Sequence, residues 1–218
     1  MDVHWTCEGK QAMIMTQSIY GDQKDILPLV MDKITGDLIS FNEEVKMLTG
    51  HPVYEHLIGR VKSEDSMREK CSRKGEPETT FTALKTMKDS IGIRIVTGFV
   101  DDVFTISEHI RQMPGSRVVE EKDYIRNAKS NGYRSYHMIM ELEQPFRDVE
   151  GREPGRYYVE FQIRTIAMDC WASLEHEMSY KRTIQNREML QAELKRCADE
   201  LASCDVTMQT IRNLIREE

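Results

Sequence analysis

Apolar side chains recur at intervals of three and four residues in the first part of the chain. Over residues 23–48 the recurring positions are Ile26, Leu29, Val30, Ile34 and Leu38. This spacing places them on one face of an amphipathic helix over residues 23–48. Pro28 is compatible with the first turn of such a helix, and Gly50 followed by Pro52 predicts its end.

A second, shorter helix is predicted after Gly59 and the polar residues 60–63. Ser63 is followed by Glu64 and Asp65, the pattern of an N-cap and an acidic first turn. Gly75 supplies a stop, so this helix is expected to run through residue 74 and to become basic towards its end.

A period of two predicts the strands. Residues 91–96 alternate β-branched side chains, and the following Asp101-Asp102 is expected to cap a helix that carries Val103, Ile106 and Ile110. Further strands are expected near residues 117–120, at residues 136–142 and at residues 157–163. In the last strand Phe161 and its alternate neighbours point one way, whereas Tyr158, Glu160 and Gln162 point the other.

Two helices are predicted at the C-terminal end. Residues 165–180 place Ala167, Trp171, Leu174 and Met178 on one face. Over residues 186–217, apolar side chains follow a strict heptad spacing at Leu190, Leu194, Cys197, Leu201, Cys204, Met208, Ile211 and Ile215. Such a seam predicts packing against a nearly parallel helix, either the N-terminal helix or another subunit.

Strands interspersed with helices indicate an α/β (α+β) fold, with a mixed β-sheet flanked by N- and C-terminal helices. The length of 218 residues favours a single domain over residues 1–218 with a core at about residues 50–182. With 39% apolar and 31% charged residues, the chain is expected to fold rather than to be disordered.

Composition narrows the class of protein further. No apolar run approaches the roughly 20 residues that span a bilayer and no signal pattern opens the chain, so a cytoplasmic protein without membrane association is expected. The formal charge of −7 argues against a surface devoted to nucleic acid, which leaves RNA binding possible but not indicated. The five scattered cysteines show no metal-ligand spacing and are expected to be reduced and mostly to pack.

Local basic clusters are the first candidates for chemistry. On the helix after Ser63, Ser66, Lys70 and the cations at residues 73 and 74 share a face, where they can converge on a polyphosphate while Arg60 stacks on a base. The alternative is a solvated basic helix. Residues 122–137 interleave cations and aromatic rings around Gly132, a pattern that suits a base and its phosphates, or simply an exposed loop.

Two carboxylates and a histidine complete the candidate chemistry. Asp89 precedes one strand and Glu160 lies on the polar face of another, so a sheet can bring them together around Mg²⁺. Taken singly, Asp89 is also explained as a cap, Glu160 as a solvent-facing strand residue and His137 as a structural histidine. Neither a Walker A nor a G-x-G-x-x-G sequence occurs.

Read together and in order, several segments resemble the synthetase domain of the RelA/SpoT family, specifically its stand-alone small alarmone synthetases. The matching segments are GRVKSEDSMREK (59–70), KDSIGIRIV (88–96), FVDDVF (99–104), KDYIRNAKSNGYRSYH (122–137) and VEFQIRTIAMDCWASLEHEMSYK (159–181). The resemblance spans about residues 50–182. It implies a synthetase fold resembling nucleotidyltransferases and transfer of pyrophosphate from ATP to the 3′-hydroxyl of GDP or GTP, with release of AMP.

The resemblance also implies roles on the ATP side. Arg60 and Arg94 would sandwich the adenine, and Lys62, Ser66 and Lys70 would hold the phosphates.

On the acceptor side, the resemblance implies that Tyr133 stacks on the guanine. Lys122, Lys129 and His137 would contact its phosphates.

Between the two substrates, Asp89 and Glu160 would bind Mg²⁺, and Glu160 would deprotonate the ribose 3′-hydroxyl. Gln162 and Glu175 would support that site.

The sequence departs from the family pattern at two positions. Ala128 stands where family members often carry proline before the loop lysine, and Asp169 stands where some carry asparagine, which would alter acceptor contacts. The long members also carry a hydrolase domain with a His-Asp motif. This sequence has no His-Asp pair and few residues before Arg60, so synthesis without hydrolysis is expected.

Stand-alone members resemble tetramers built through terminal helices, so the resemblance implies a homo-oligomer. Two other functions stay open from the residues. The first is a non-catalytic module that binds a guanine nucleotide or single-stranded RNA, although paired carboxylates would gain such a module nothing. The second is a template-independent nucleotidyltransferase, which would release pyrophosphate rather than AMP.

Overall fold

The computed structural model describes residues 17–179 and 186–217. A short 3₁₀ turn at Gly21–Gln23 and a π turn at Thr82–Thr86 accompany the longer elements. In chain order these are α1 (Ile26–Thr49), β1 (His56–Val61), α2 (Glu64–Lys74), β2 (Ile91–Thr97), α3 (Val100–Arg111), β3 (Ser116–Asp123), β4 (Tyr136–Gln144), β5 (Gly155–Thr165), α4 (Ile166–Ser179) and α5 (Arg187–Glu217).

The strands form one mixed sheet of five strands in the order β1-β2-β5-β4-β3. Neighbouring strands are antiparallel except β2 and β5, which run parallel at the centre. A register shift between Val118 and Glu120 marks an irregularity in β3. The mixed α/β class predicted from the sequence is therefore confirmed.

The hydrophobic core lies on one face of the sheet, where α1 and α3 pack. Alternate residues of the central strands, such as Ile93 and Phe161, are almost fully buried there. The buried stripe of α1 consists of Leu27, Val30, Ile34 and Leu38, and burying each such side chain stabilises the fold by about 1.5–3 kcal/mol. The opposite face carries the polar side chains of the same strands. Packing of the apolar face thus leaves a polar face available for a site.

Local signals at the helix ends behave largely as the sequence predicts. The Ser63 hydroxyl accepts a hydrogen bond from the Ser66 amide at 3.3 Å, and Gly75 ends α2 with a φ of 70°. Gly50 ends α1 with a φ of 80°. The predicted cap of α3 is wrong, because the N-cap position is Phe99 and the two aspartates lie in the first turn, where they still favour the positive end of the helix dipole.

The strand predictions are correct in place but short, and one strand was missed. The strand expected near residues 117–120 extends over Ser116–Asp123. Strand β1 was not predicted, since its exposed and half-buried residues alternate around Gly59 without a strong apolar signal. Gly59 lies against α1, where an added Cβ would come 2.9 Å from the sulfur of Met31. A glycine here permits close packing of the strand on the helix.

The heptad seam of α5 is confirmed only in part. Leu194, Cys197 and Leu201 pack around Trp171 of α4, so the first half of the seam packs within the chain, on α4 rather than on the N-terminal helix. Further along, the buried side chain is Asp205, whereas Met208, Ile211 and Ile215 are about half exposed or more. The inward face of α5 is rotated away from the apolar seam.

Cysteine burial also differs from expectation, and Cys7 lies outside the described residues. Cys71 is buried in the core, but Cys170 and Cys204 are exposed, so packing explains only part of the set. Among the residues that the structure describes, no helix is both long and apolar enough to cross a membrane.

Candidate active site

A cavity of about 190 Å³ opens on the polar face of the sheet between β1, β2 and β5. Strand register sets its walls, because residues opposite each other on paired strands share a face. Gly92 pairs with Arg60 on one side and with Glu160 on the other. An added Cβ at Gly92 would meet nothing closer than Arg60 at 3.9 Å, so the missing side chain leaves the floor open.

The next set of residues that lie opposite each other on the neighbouring strands widens the cavity. Arg94 pairs with Ile58 of β1 and with Gln162 of β5, which lies opposite His137 of β4. Predicted site residues from four segments that are distant in sequence therefore line one surface. Arg60 and Arg94 flank the open floor, as a pair of guanidinium groups that hold a planar ring between them would need to.

Two lysines converge on one carboxylate beside this cavity. The Nζ atoms of Lys62 and Lys70 both contact Oδ2 of Asp89, the latter at 2.6 Å. Only 11% of the Asp89 side chain is exposed, and its other oxygen, Oδ1, is buried without a hydrogen-bond partner. A buried oxygen in this state is costly unless a ligand or cation occupies it.

The Glu160 carboxylate can still accept further hydrogen bonds. The amide nitrogen of Gln162 lies 3.3 Å from Oε2, and Nδ1 of His137 lies 3.8 Å from Oε1. Asp89 lies three residues before Gly92, the register partner of Glu160. Asp89 thus lies in the segment just before β2, and Glu160 lies on β5, the parallel neighbour of β2. Within the described residues no cluster of three or more side chains of His, Cys, Asp or Glu could hold a metal ion.

A chain of hydrogen bonds runs from Tyr133 to His137 on the β4 side. The Tyr133 hydroxyl lies 2.7 Å from Nε2 of His137 and accepts a hydrogen bond from Arg164 at 2.8 Å. Burial is the largest cause that lowers the pKa of His137 to about 4. His137 is therefore neutral at pH 7, with Nε2 sharing a hydrogen bond with the tyrosine and Nδ1 facing Glu160.

The remaining cations of the acceptor side surround this chain. Nζ of Lys129 lies 4.6 Å from the ring centroid of Tyr124 and 4.8 Å from that of Tyr133. Lys122 lies opposite His137 in register and pairs with Glu120. The loop thus offers aromatic and cationic groups together, as its sequence predicts.

Two predicted residues contribute less clearly to the cluster. Ser66 is exposed, and its hydroxyl accepts a hydrogen bond from the hydroxyl of Ser63 at 2.9 Å. Glu175 lies on α4, four residues beyond Trp171 and half-buried, and its supporting role stays a prediction. Asp169, by contrast, reaches the site, since its carboxylate lies 3.5 Å from Nη1 of Arg94.

Arg164 is the residue that sequence reasoning missed. Only 8% of its side chain is exposed, and it contacts Tyr133, Gln162 and Asp169. The alternation of polar residues along β5 could have revealed it, because Arg164 follows Glu160 and Gln162 at the same period of two.

Comparison with known proteins adds independent observations. Residues 59–185 match the family model described as a region found in RelA/SpoT proteins. The chain is 36% identical to the GTP pyrophosphokinase YwaC of Bacillus subtilis strain 168 over 174 residues, which covers 80% of this chain and 81% of that protein. It is also 36% identical to the GTP pyrophosphokinase YjbM of the same organism over 167 residues, covering 77% and 76%.

Solved structures agree with these relatives. The small alarmone synthetase 1 from Bacillus subtilis, bound to its product pppGpp, matches with a TM-score of 0.75 and 32% identity over 87% of this chain and 94% of that chain. The small alarmone synthetase 2 from the same organism matches with a TM-score of 0.72 and 34% identity over 86% and 95%.

Proposed function

The chain belongs to the RelA/SpoT family as a (p)ppGpp synthetase, and we propose that the cavity beside Gly92 is its active site. The enzyme transfers pyrophosphate from ATP to the 3′-hydroxyl of GDP or GTP and releases AMP. The observation that carries the assignment to this cavity is the register row Arg60, Gly92 and Glu160. It provides a cation, an open floor and a carboxylate base on one surface.

ATP binds on the β1 and α2 side in this proposal. Arg60 and Arg94 hold the adenine between them, and Lys62, Lys70 and Ser66 hold the phosphates. The lysines are already gathered on Asp89, so their charge is concentrated where a polyphosphate would enter.

The guanine nucleotide binds on the β4 side. Tyr133 stacks on the base, whereas Lys122, Lys129 and His137 contact phosphates. A neutral His137 suits this role, because its ring carries one N–H group that can donate a hydrogen bond. Gln162, Asp169 and Glu175 support the acceptor from β5 and α4.

Glu160 is the general base. It accepts the proton of the 3′-hydroxyl as the 3′-oxygen forms a bond to the β-phosphorus of ATP. The bond between that phosphorus and the oxygen bridging to the α-phosphate breaks, and AMP leaves with that oxygen. The hydrogen bond from Gln162 holds the Glu160 carboxylate in place.

Asp89 and Glu160 fit a divalent cation, because the buried Oδ1 of Asp89 has no hydrogen-bond partner. Carboxylate oxygens are the ligands that Mg²⁺ prefers. When bound, Mg²⁺ supplies positive charge that neutralises phosphate oxygens.

Chromatography of the products tests this function. The protein is incubated with ATP, Mg²⁺ and either GDP or GTP. Equal amounts of AMP and ppGpp or pppGpp are expected. Pyrophosphate as the product would instead support a nucleotidyltransferase. Retention of the guanine nucleotide without turnover would support a binding module.

Synthesis without hydrolysis is part of the same proposal. Added pppGpp should remain intact with the pure protein and Mn²⁺ over the time in which synthesis is complete. Its disappearance would contradict the proposal. A cytoplasmic location is also proposed, since ATP and GTP are the substrates.

A homo-oligomer, specifically a tetramer joined through terminal helices, is the last part of the proposal. The second half of α5 supports it, since Met208, Ile211, Leu214 and Ile215 are 47–68% exposed. Apolar surface of this kind is typical of an interface. Light scattering at micromolar concentration should give a mass above that of one chain, and Ile211→Glu should lower it. A monomer for the unmodified protein would contradict the proposal.

A further inference from the structure

A buried arginine lies at the carboxyl end of β5 and has none of the roles described above. The side chain of Arg164 is 8% exposed. Its Nη2 donates to the Tyr133 hydroxyl at 2.8 Å and to Oε1 of Gln162 at 3.1 Å, and its Nη1 donates to Oδ1 of Asp169 at 3.0 Å. The hydroxyl oxygen of Ser135 lies 3.4 Å from its Nε. Nearly every donor of the guanidinium group is directed to a side chain.

Each of the three closest contacts reaches a residue that the acceptor needs. The Tyr133 hydroxyl, which accepts from Arg164, also shares a hydrogen bond with Nε2 of His137. Nδ1 of that ring lies 3.8 Å from Oε1 of Glu160. The bond to the Gln162 carbonyl oxygen turns the amide nitrogen of Gln162 towards Glu160. One planar group thereby fixes the stacking ring, the histidine and the support of the base.

The third contact joins the acceptor side to the adenine side. Oδ1 of Asp169 lies 3.0 Å from Nη1 of Arg164 and 3.5 Å from Nη1 of Arg94. The shorter contact holds the Asp169 carboxylate on Arg164, at the acceptor side.

Stability alone gives a weak reason to bury this charge. Removing a guanidinium group from water costs several kcal/mol, and a single carboxylate compensates it here. All three of the close partners belong to the proposed site. The buried arginine therefore fixes the geometry of the site rather than stabilising the core.

Resting on the proposed function, we propose that Arg164 is a positioning residue that pre-organises the guanine-nucleotide site through Tyr133, Gln162 and Asp169. Without it the acceptor must order Tyr133 and Asp169 itself, which lowers its affinity. The phosphate-binding lysines of the ATP side do not contact Arg164 and should bind ATP as before.

A matched pair of variants tests this inference. Arg164→Gln removes the positioning contacts. Arg111→Gln removes a similar contact outside the site, since Nη2 of Arg111 donates to the Tyr136 hydroxyl at 2.7 Å. For Arg164→Gln, the KM for GDP should rise about 10-fold or more, as expected for loss of a hydrogen bond to a charged group. The KM for ATP should change less than about 2-fold by the same argument, since no ATP contact is lost.

The control and two further variants make the outcome decisive. Arg111→Gln should leave both KM values unchanged. Arg164→Lys keeps the charge but not the fork of donors, and should recover only part of the GDP affinity. If Arg164→Gln does not fold, Tyr133→Phe tests the inference instead. This variant keeps the aromatic ring and removes only the hydroxyl that contacts Arg164 and His137. It should raise the KM for GDP and not the KM for ATP.

An unchanged KM for GDP in Arg164→Gln would overturn the inference, as would an unchanged KM in Tyr133→Phe if Arg164→Gln does not fold. A rise of both substrates' KM values by the same factor would do so too, since it would indicate a general structural role. Calorimetric titration with GDP and with α,β-methylene-ATP gives the same comparison without turnover. If the unmodified protein makes no (p)ppGpp, the proposed function fails, whereas the GDP affinities still decide the role of Arg164.

Discussion

The two sides of the cavity are built differently. The donor half, defined as Arg60, Lys62, Lys70, Asp89 and Arg94, holds several cations against one carboxylate, with Arg60 exposed. The acceptor half, defined as Tyr133, His137, Gln162, Arg164 and Asp169, is joined by hydrogen bonds before any ligand is present.

This difference indicates two modes of recognition. The donor half holds four cations and one carboxylate, so it has an excess of positive charge that a triphosphate can balance, and its affinity depends on electrostatic contacts formed on binding. The acceptor half fixes its aromatic ring in advance, so its affinity depends on pre-organisation. Changes on each side should therefore affect different substrates, and a change between them should affect turnover itself.

The largest effect is expected at the boundary between the halves. Glu160→Gln removes the base but keeps the size of the side chain. The kcat should fall about 10²–10⁴-fold, the range that general-base catalysis supplies. The affinities for GDP and α,β-methylene-ATP should change little. Rapid-quench measurement of AMP checks the rate, and an undiminished kcat would remove Glu160 as the base.

A smaller effect is expected in the donor half. Lys70→Ala removes one of the cations gathered on Asp89 and should raise the KM for ATP about 10-fold, the value of a charged hydrogen bond. The KM for GDP should stay within about 2-fold, since that substrate loses no contact. Lys33→Ala, which alters an exposed pair with Asp37 on α1, is the control and should change neither KM. An equal rise for both substrates would contradict the separation of the halves.

The acceptor half depends on a helix beyond it, which Gly132→Ala tests. Gly132 has a φ of +93°, and an added Cβ would lie 2.6 Å from the Cβ of Ala198 on α5. Overpacking of this kind should destabilise the protein by about 1–3 kcal/mol and raise the KM for GDP more than that for ATP.

The matched control for Gly132→Ala is Gly36→Ala. Gly36 lies on α1, where an added Cβ would meet no atom of another residue within 4 Å. Alanine there should stabilise the protein by about 0.5–1 kcal/mol and leave both KM values unchanged. Thermal unfolding and initial rates distinguish the two variants, and wild-type behaviour of Gly132→Ala would contradict a role for α5 in ordering the loop.

The smallest effect concerns the scaffold that both halves share. His109 of α3 stacks on Phe41 of α1 with ring centroids 3.6 Å apart, and burial lowers the pKa of His109 below its usual 6.5. Just below pH 6.5 the unfolded chain therefore binds more protons than the folded one, so stability falls as the pH decreases. A pKa difference of one between the folded and unfolded chains corresponds to about 1.4 kcal/mol.

His109→Gln should reduce the slope of that pH dependence without altering either KM at pH 8. Part of the slope should remain, because burial also lowers the pKa of His137, to about 4. The midpoint of thermal unfolding, measured between pH 5 and 8 for both proteins, checks this. An unchanged slope in the variant would show that other groups cause the pH dependence.

Much of the fold follows from local sequence. Strand β5 and its polar face were predictable because Phe161 and Glu160 lie on opposite sides of a regular alternation. The ends of α2 were predictable because Ser63 and Gly75 act through their own backbone.

Tertiary contacts explain why the packing of α5 was not predicted in full. The inward face of α5 includes Ala198 and Asp205, and the Asp205 carboxylate accepts a hydrogen bond from Thr165 at 2.7 Å. Apolar periodicity does not detect small and polar residues that face a neighbour, so it did not indicate that the second half of the helix turns a polar face towards its own chain.

The site residues also include some that the sequence identified and one that it did not. The resemblance to a family identified most candidate residues by type and order, and the strand register explains why Arg60, Gly92 and Glu160 meet. The alternation along β5 places Arg164 on the polar face, but its partners come from separate segments, which one sequence does not pair.

The central claim is that Asp89 and Glu160 act together at one site. Its most direct test is the rate of AMP formation by Asp89→Asn, Glu160→Gln and the double variant under saturating ATP and GDP. Groups that act as a unit are not additive, so the double variant should be about as slow as the slower single variant. A double variant slowed by the product of the two single effects would contradict the claim.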